Sequence, residues 1–385
     1  MMDPISTAPG IERHRIEFTG SGSEYFRIWI VNLLLTLVTL GLYYPWAKVR
    51  KLKYLYRNTH VASHALDFHG KPAQMLKGYL LMGGVFLVYS MLSHFSPAAG
   101  SLVGIALAAA WPALIRASLR FRLANTSWRG LRFHFTGTTQ GAYAVFVKPF
   151  AAALALGALA AILFSTHAVA GQVLGGLVLL CLYAGITPYL YFGFKRYQHE
   201  NYAYAQLQTE FRATFKETLN VYLKTAGVAL IGIMSCFVVV MIGAAVAGLS
   251  AMAAGGPSPS SAFLRLAPVL VVIGVVLIQI APLPYFQSRM QNLLWSQTGS
   301  PLVRFKSDLA FWPLFRQSLL NWVLIALTLG LYWPFGMIAI NRLKLQAITL
   351  HLRVDPDSLI SQMQAQGGIG VGEAAADLAG IDIGI

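Results

Sequence analysis

Six apolar stretches constrain this chain more than anything else in it. Leu76–His94, Leu102–Leu119, Ala144–Ser165, Val173–Phe194, Val221–Leu249 and Leu264–Phe286 are each long enough, or nearly so, to cross a bilayer as a helix, which takes about 20 mainly apolar residues. Only 11% of the 385 residues are charged and 56% are hydrophobic. A soluble domain carries about 25% charged residues, so lipid is the natural solvent for this surface. The fold expected is an all-α polytopic membrane protein with short β-strands in its connectors. Cys181 and Cys236 both lie in apolar runs, where they read as small core hydrophobes. Residues 1–24 hold no apolar run, which argues against a cleaved signal peptide.

Two further stretches, Phe26–Trp46 and Leu314–Phe335, are interrupted by Gly and then Pro. They are near-copies: from Asn32 the chain reads NLLLTLVTLGLYYPW, and from Asn321 it reads NWVLIALTLGLYWPF. A wider pattern runs between them. Pro45, Pro112, Pro188 and Pro334 each precede a Lys or Arg by eight residues: Lys53, Arg120, Arg196 and Arg342. Pro284 lacks that basic residue. Asn58, Asn125 and Asn201 follow a Pro by thirteen residues, and Thr59, Thr126 and Thr298 follow by fourteen. A Phe-x-small element precedes each new helix, at Phe18, Phe68, Phe135, Phe211 and Phe305. The spacing predicts five internal repeats, at about 18–59, 68–126, 135–202, 211–298 and 305–349, in one membrane domain over 1–353. The acidic, Gly/Ala-rich segment 354–385 is read as a solvated tail, or as one that docks on a basic face.

Of the 29 Lys and Arg, 28 fall near the ends or in the connectors after the Pro-bearing helices. This positive-inside asymmetry places the connectors and both termini in the cytoplasm. Insertion thereby explains the net charge of +15, and no nucleic-acid partner is expected. Membrane lipids with anionic headgroups are. The topology requires the two Gly/Pro-interrupted stretches to enter and leave on one side. Phe26 to Leu40 rises roughly 22 Å at about 1.5 Å per residue, short of a hydrocarbon core about 30 Å thick. A re-entrant hairpin is therefore expected, with one kinked span as the alternative. In the connectors, Leu131, Phe133 and Phe135 alternate with Arg132 and His134, and Leu350, Leu352 and Val354 alternate with His351 and Arg353. That period predicts strands, pairing into a small sheet under the membrane.

Glu24-Tyr25-Phe26, the TLGLYYPWAKVR run, Arg57-Asn58-Thr59, Asp67-Phe68-His69-Gly70 and the second TLGLYWP together resemble the YjgN family of bacterial inner-membrane proteins. The resemblance implies an inner-membrane location. It carries no accepted activity and no catalytic residues.

No phosphate-binding loop, nucleophile elbow or zinc-protease motif occurs, so no enzyme activity and no cofactor is expected. His60, His64, Asp67 and His69 invite a metal reading, but a strand would point Asp67 and His69 away from His64, and no metal is assigned. The candidate binding site is drawn from the two broken segments: Asn32, Thr39, Gly41, Tyr43 and Pro45, with Asn321, Thr328, Gly330, Tyr332 and Pro334. Interrupted helices in corresponding repeats are a pointer to a transporter site, and a helix N-terminus at either Pro would favour an anion. The bland reading of the two Asn residues is helix–helix hydrogen bonding. A transporter or channel-like protein for a small or amphiphilic solute is the first expectation, with a cavity between the terminal units. A non-transporting scaffold or anionic-lipid-binding protein is the alternative. Oligomeric state is open.

Overall fold

A computed structural model describes residues 12–166, 168–253, 280–354, 356–358 and 361. Among them are ten helices: α1 (Gly22–Val38), α2 (Tyr44–Arg57), α3 (Pro72–Phe95), α4 (Pro97–Ala124), α5 (Thr139–Ser165), α6 (Val169–Glu200), α7 (Phe215–Ala253), α8 (Pro282–Ser296), α9 (Phe311–Leu327) and α10 (Trp333–Gln346). Five of these, α3 to α7, are long and apolar enough to cross a membrane. The sixth predicted span, Leu264–Phe286, lies mostly outside the described residues, as does most of the acidic tail. Each helix packs on the next along the chain, and α10 packs on α1, so the helices close into a ring.

Twelve short strands connect them. They are β1 (Glu12–Arg15), β2 (Glu17–Phe18), β3 (Thr59–Val61), β4 (His64–Phe68), β5 (Thr126–Trp128), β6 (Leu131–Phe135), β7 (Tyr202–Tyr204), β8 (Leu207–Gln208), β9 (Glu210–Phe211), β10 (Thr298–Gly299), β11 (Val303–Ser307) and β12 (Ile348–Leu352). All pairings are antiparallel. One sheet runs β2-β3-β4-β5-β6-β7-β8 and the other β1-β12-β11-β10-β9. The two sheets meet at both ends. β1 and β2 are one run of chain that changes partner at Ile16, whose N–H donates to Ile348 at 3.1 Å. β8 and β9 change partner at Thr209, whose N–H donates to Tyr202 at 2.8 Å. The small sheet expected under the membrane is thus a circuit among the described strands, in which each sheet hands over to the other at Ile16 and Thr209, an arrangement that shortens the edges an open sheet would present.

Helix pairs stand on this circuit. The chain leaves from β2, β4, β6, β9 and β11 and returns at β3, β5, β7, β10 and β12, so the described strand connectors share one side of the helices. At each junction the same backbone bond recurs: Thr19 to Asn58, His69 to Asn125, Thr136 to Asn201, Arg212 to Gln297 and Asp308 to Ala347, between 2.7 and 3.1 Å. The side-chain amides of Asn58, Asn125 and Asn201 turn back to the carbonyls of Tyr54, Phe121 and Tyr197, capping the carbonyls that end an α-helix.

The Phe-x-small element has a steric cause. The rings of Phe68 and Phe135 fold over Gly70 and Gly137, where an added Cβ would sit 2.5 Å from the ring. Phe68 then fills a core with Val49, Leu52, Met75 and Phe121, and Phe135 packs with Ile115, Leu119 and Tyr197. The last copy differs from the sequence expectation. Ser307, not Phe305, faces Ile348, the place where Phe68 faces Thr126 and Phe211 faces Thr298. With a small Ser in the ring's place, the following small residue becomes Leu309, buried with Leu314 and Ala347.

Candidate functional site

The two interrupted segments fold as helical hairpins. α1 and α2 pack on each other, as do α9 and α10, and the strands at their bases pair, so the chain reverses rather than running on as one kinked helix. Gly41 (φ +91°) and Gly330 (φ +94°) take the positive dihedral at the turn, a conformation with little steric cost only for Gly. Their N–H groups donate back to Thr36 at 2.7 Å and Ile325 at 2.8 Å. Thr39 donates its hydroxyl to Leu35 at 2.7 Å and accepts from the Tyr43 N–H at 3.0 Å. Thr328 does the same with Leu324 at 2.6 Å and Tyr332 at 2.9 Å. Pro45 and Pro334 are fully buried in the first turns of α2 and α10. Tyr43 stacks on Trp46, and Tyr332 stacks on Phe335.

The paired Asn residues differ from each other. Asn321 is buried and doubly bonded: Gln317 donates to its carbonyl at 2.9 Å, and its amide donates to the Gly336 carbonyl at 3.1 Å. Asn32 is buried with one longer bond from Arg50, at 3.4 Å. The first and last hairpins lie side by side, and Phe26 stacks on Phe335 at 5.3 Å between ring centroids. Aromatic rings therefore pack at that contact.

A large cavity exists elsewhere. It has a volume of about 650 Å³ and lies inside the strand circuit, bounded above by the inner ends of α2, α4, α6, α8 and α10. None of the ten residues singled out from sequence lines it. Its strand wall is apolar, formed by Val61, Leu66, Trp128, Phe133, Leu350 and Leu352 among others. Trp128 and Tyr204 fix part of this wall: the indole N–H donates to the Val61 carbonyl at 3.1 Å, and the Tyr204 hydroxyl donates to the Trp128 carbonyl at 2.9 Å.

The helix side supplies polarity. Gln198, Gln291, Asn341, Arg122 and Lys344 reach the chamber. Gln291 is tied to the Lys344 carbonyl at 2.7 Å. Arg122 donates to the Tyr56 hydroxyl at 3.4 Å. Lys51 and Lys195 stand close enough to Arg122 for its charge to oppose theirs. Burial holds the Lys344 ammonium below the usual lysine range. No Asp or Glu is among the described lining residues. Sequence reading missed this site because its wall draws on elements from one end of the chain to the other. The one local signal was the alternation that placed Phe133, Leu350 and Leu352 in strands.

The four residues weighed as a metal cluster are dispersed along a strand hairpin. His64 contacts the Ala62 carbonyl at 2.9 Å, Asp67 pairs with Arg57 at 3.0 Å, and His69 bonds Ser127 at 2.7 Å. At the far side of the circuit, Arg129 pairs with Asp357.

Three relatives bear the name inner membrane protein YjgN. The Salmonella typhimurium LT2 protein is 29% identical over 197 residues, covering 50% of this chain and 48% of its own length. The Escherichia coli O157:H7 and K12 proteins are each 30% identical over 151 residues, 38% of this chain and 37% of theirs. The matched part thus spans about half or less of the length of these curated relatives. No solved structure matches the chain. A family profile described as bacterial protein of unknown function matches residues 13–378. With nearly its whole length covered and inner-membrane proteins among its relatives, the chain belongs to this family, DUF898.

Proposed function

We propose that this protein is a transporter-like carrier of an amphiphilic solute, built from five repeated units around the chamber inside its strand circuit. The observation that carries the reading is the chamber itself, about 650 Å³ with a mainly apolar wall. Binding sites for small molecules are concave, mostly apolar and of this size. In the repeat reading, units two to four each supply two full spans, with the second span of the fourth unit falling in 264–286. Units one and five supply re-entrant hairpins. Leu40 and Leu329 support that: they stand at the hairpin tips 94% and 96% exposed, a placement suited to lipid. The basic residues cluster on the strand side, so we place the circuit, the connectors and both termini in the cytoplasm. We assign no catalytic step.

The cations near the strand side favour a second reading, an anionic-lipid-binding protein that moves nothing, since each Lys or Arg near an anionic leaflet contributes about 1 kcal/mol. Native mass spectrometry of the gently purified protein separates the two. The proposal expects a stoichiometric amphiphile that is lost in Leu66→Trp, a substitution that fills the chamber. Bulk phospholipid only, retained unchanged in Leu66→Trp, would overturn the chamber reading in favour of rim binding.

A further inference from the structure

The chamber is polarised. Its floor and sides are strand residues with apolar faces, whereas its two charged lining groups, Arg122 and Lys344, enter from the inner ends of α4 and α10. Lys344 is half-buried, and its ammonium makes no hydrogen bond or ion pair among the described residues. An unpaired cation in a site of low dielectric is costly. It persists most readily where a bound anion completes it, because charge-assisted bonds are about twice as strong as neutral ones. Arg122 brings a second cation of fixed fork geometry, suited to two oxygens of one carboxylate or phosphate. Lys51 and Lys195 add positive potential behind it.

We infer that Arg122 and Lys344 form the head site for an anionic amphiphile, binding its carboxylate or phosphate oxygens while its apolar body lies against Trp128, Phe133 and Leu350. The inference rests on the chamber reading and adds the sign and place of the ligand's charge. The chamber's cations face the helices and its apolar wall faces the strands, so the ligand is oriented with its head toward the membrane.

Trp128 gives the test its signal. The full-length protein in nanodiscs is titrated with three bromine-labelled C18 probes that quench tryptophan: a carboxylate, a phosphate monoester and a neutral alcohol. Quenching absent from Trp128→Phe reports the chamber. The expected result is half-saturation by at least one anionic probe at concentrations about tenfold or more below the alcohol. Lys344→Met should erase most of that advantage, leave the alcohol unchanged, and be rescued by Lys344→Arg. Whichever anion binds more tightly names the head chemistry. Equal binding of all three probes, or anion binding indifferent to Lys344→Met, would overturn the head site while leaving the chamber in place. Absence of Trp128-dependent quenching by every probe would overturn the chamber reading as well.

Discussion

Arg342 donates to the carbonyl of Gly20 at 2.7 Å, across 322 residues of chain. Arg342 lies eight residues after Pro334, and Gly20 ends a Phe-x-small element. Eight residues after Pro284, Asn292 donates to the corresponding carbonyl of Leu309 at 3.0 Å. The amide thus serves where a basic side chain was missing. Arg116 reaches the same kind of carbonyl at Gly137, at 2.6 Å. Among these bonds, that of Arg342 ties the last helix to the segment leading into the first. Arg342→Met should therefore lower thermal stability by about 1 kcal/mol, the usual net value of such a bond. Arg304→Met, whose side chain makes no such link, should leave the melting temperature nearly unchanged. Differential scanning fluorimetry of both variants in one detergent makes the comparison.

The two buried Asn residues should respond unequally. Asn321→Leu removes the bonds to Gln317 and to the Gly336 carbonyl, and two such bonds at a buried amide contribute about 1–3 kcal/mol together. Asn32→Leu removes a single 3.4 Å contact and should cost under about 1 kcal/mol. Equal losses in the two melting curves would contradict the bonding described here.

At the hairpin tips, Gly330→Ala forces a side chain onto φ +94° and should destabilise by about 1 kcal/mol or more. Leu329 also has a positive φ, +50°, while being 96% exposed. Leu329→Gly should relieve that conformation and hold or raise stability in detergent. If the tip is a lipid anchor, the same change should weaken retention in bilayers. Thermal melts in detergent and in liposomes read the two effects apart.

Much of this architecture could be read from periodicity. The Thr-Leu-Gly-Leu-Tyr turns, the buried prolines and the strand at Leu131–Phe135 are local features, set by one residue's dihedral preference or by alternation over five residues. Even the Phe-x-Gly element is local, because the ring covers a glycine two residues on. The register of the last copy was misread, since Phe305 matches by composition while Ser307 and Leu309 exchange sizes to fill the same space. Ring closure was out of reach: β1 pairs with β12 across more than 300 residues of chain, a contact that no local pattern encodes. The chamber was the least legible part. Thr39 and Thr328, which marked the candidate site in sequence, hold the hairpin turns with their hydroxyls. Arg122 and Lys344, which reach the chamber, looked like ordinary members of a basic inner face.

The half-buried Lys344 also makes a prediction for stability. Its folded pKa lies below its unfolded value, through burial. Between those two values the unfolded chain binds more protons, so this group's contribution to stability rises with pH across that window. Below it, the charged, buried ammonium is a constant penalty. Lys344→Met should therefore raise the melting temperature of the ligand-free protein near neutral pH, and the advantage should shrink as pH approaches about 10.4, the ordinary lysine value. Melting curves of both proteins from pH 7 to 10 test this. A variant less stable than the parent at pH 7 would show that Lys344 serves the fold and not a ligand.

The central claim is a chamber inside a closed circuit of strands that holds an anionic amphiphile, and cryo-electron microscopy of the protein in lipid nanodiscs tests it most directly. The account predicts an unbroken strand circuit passing through Ile16 and Thr209, enclosing elongated density that lies along Trp128, Phe133 and Leu350 and ends at Lys344. A chamber filled by the protein's own side chains, or a circuit open between β1 and β12, would contradict it.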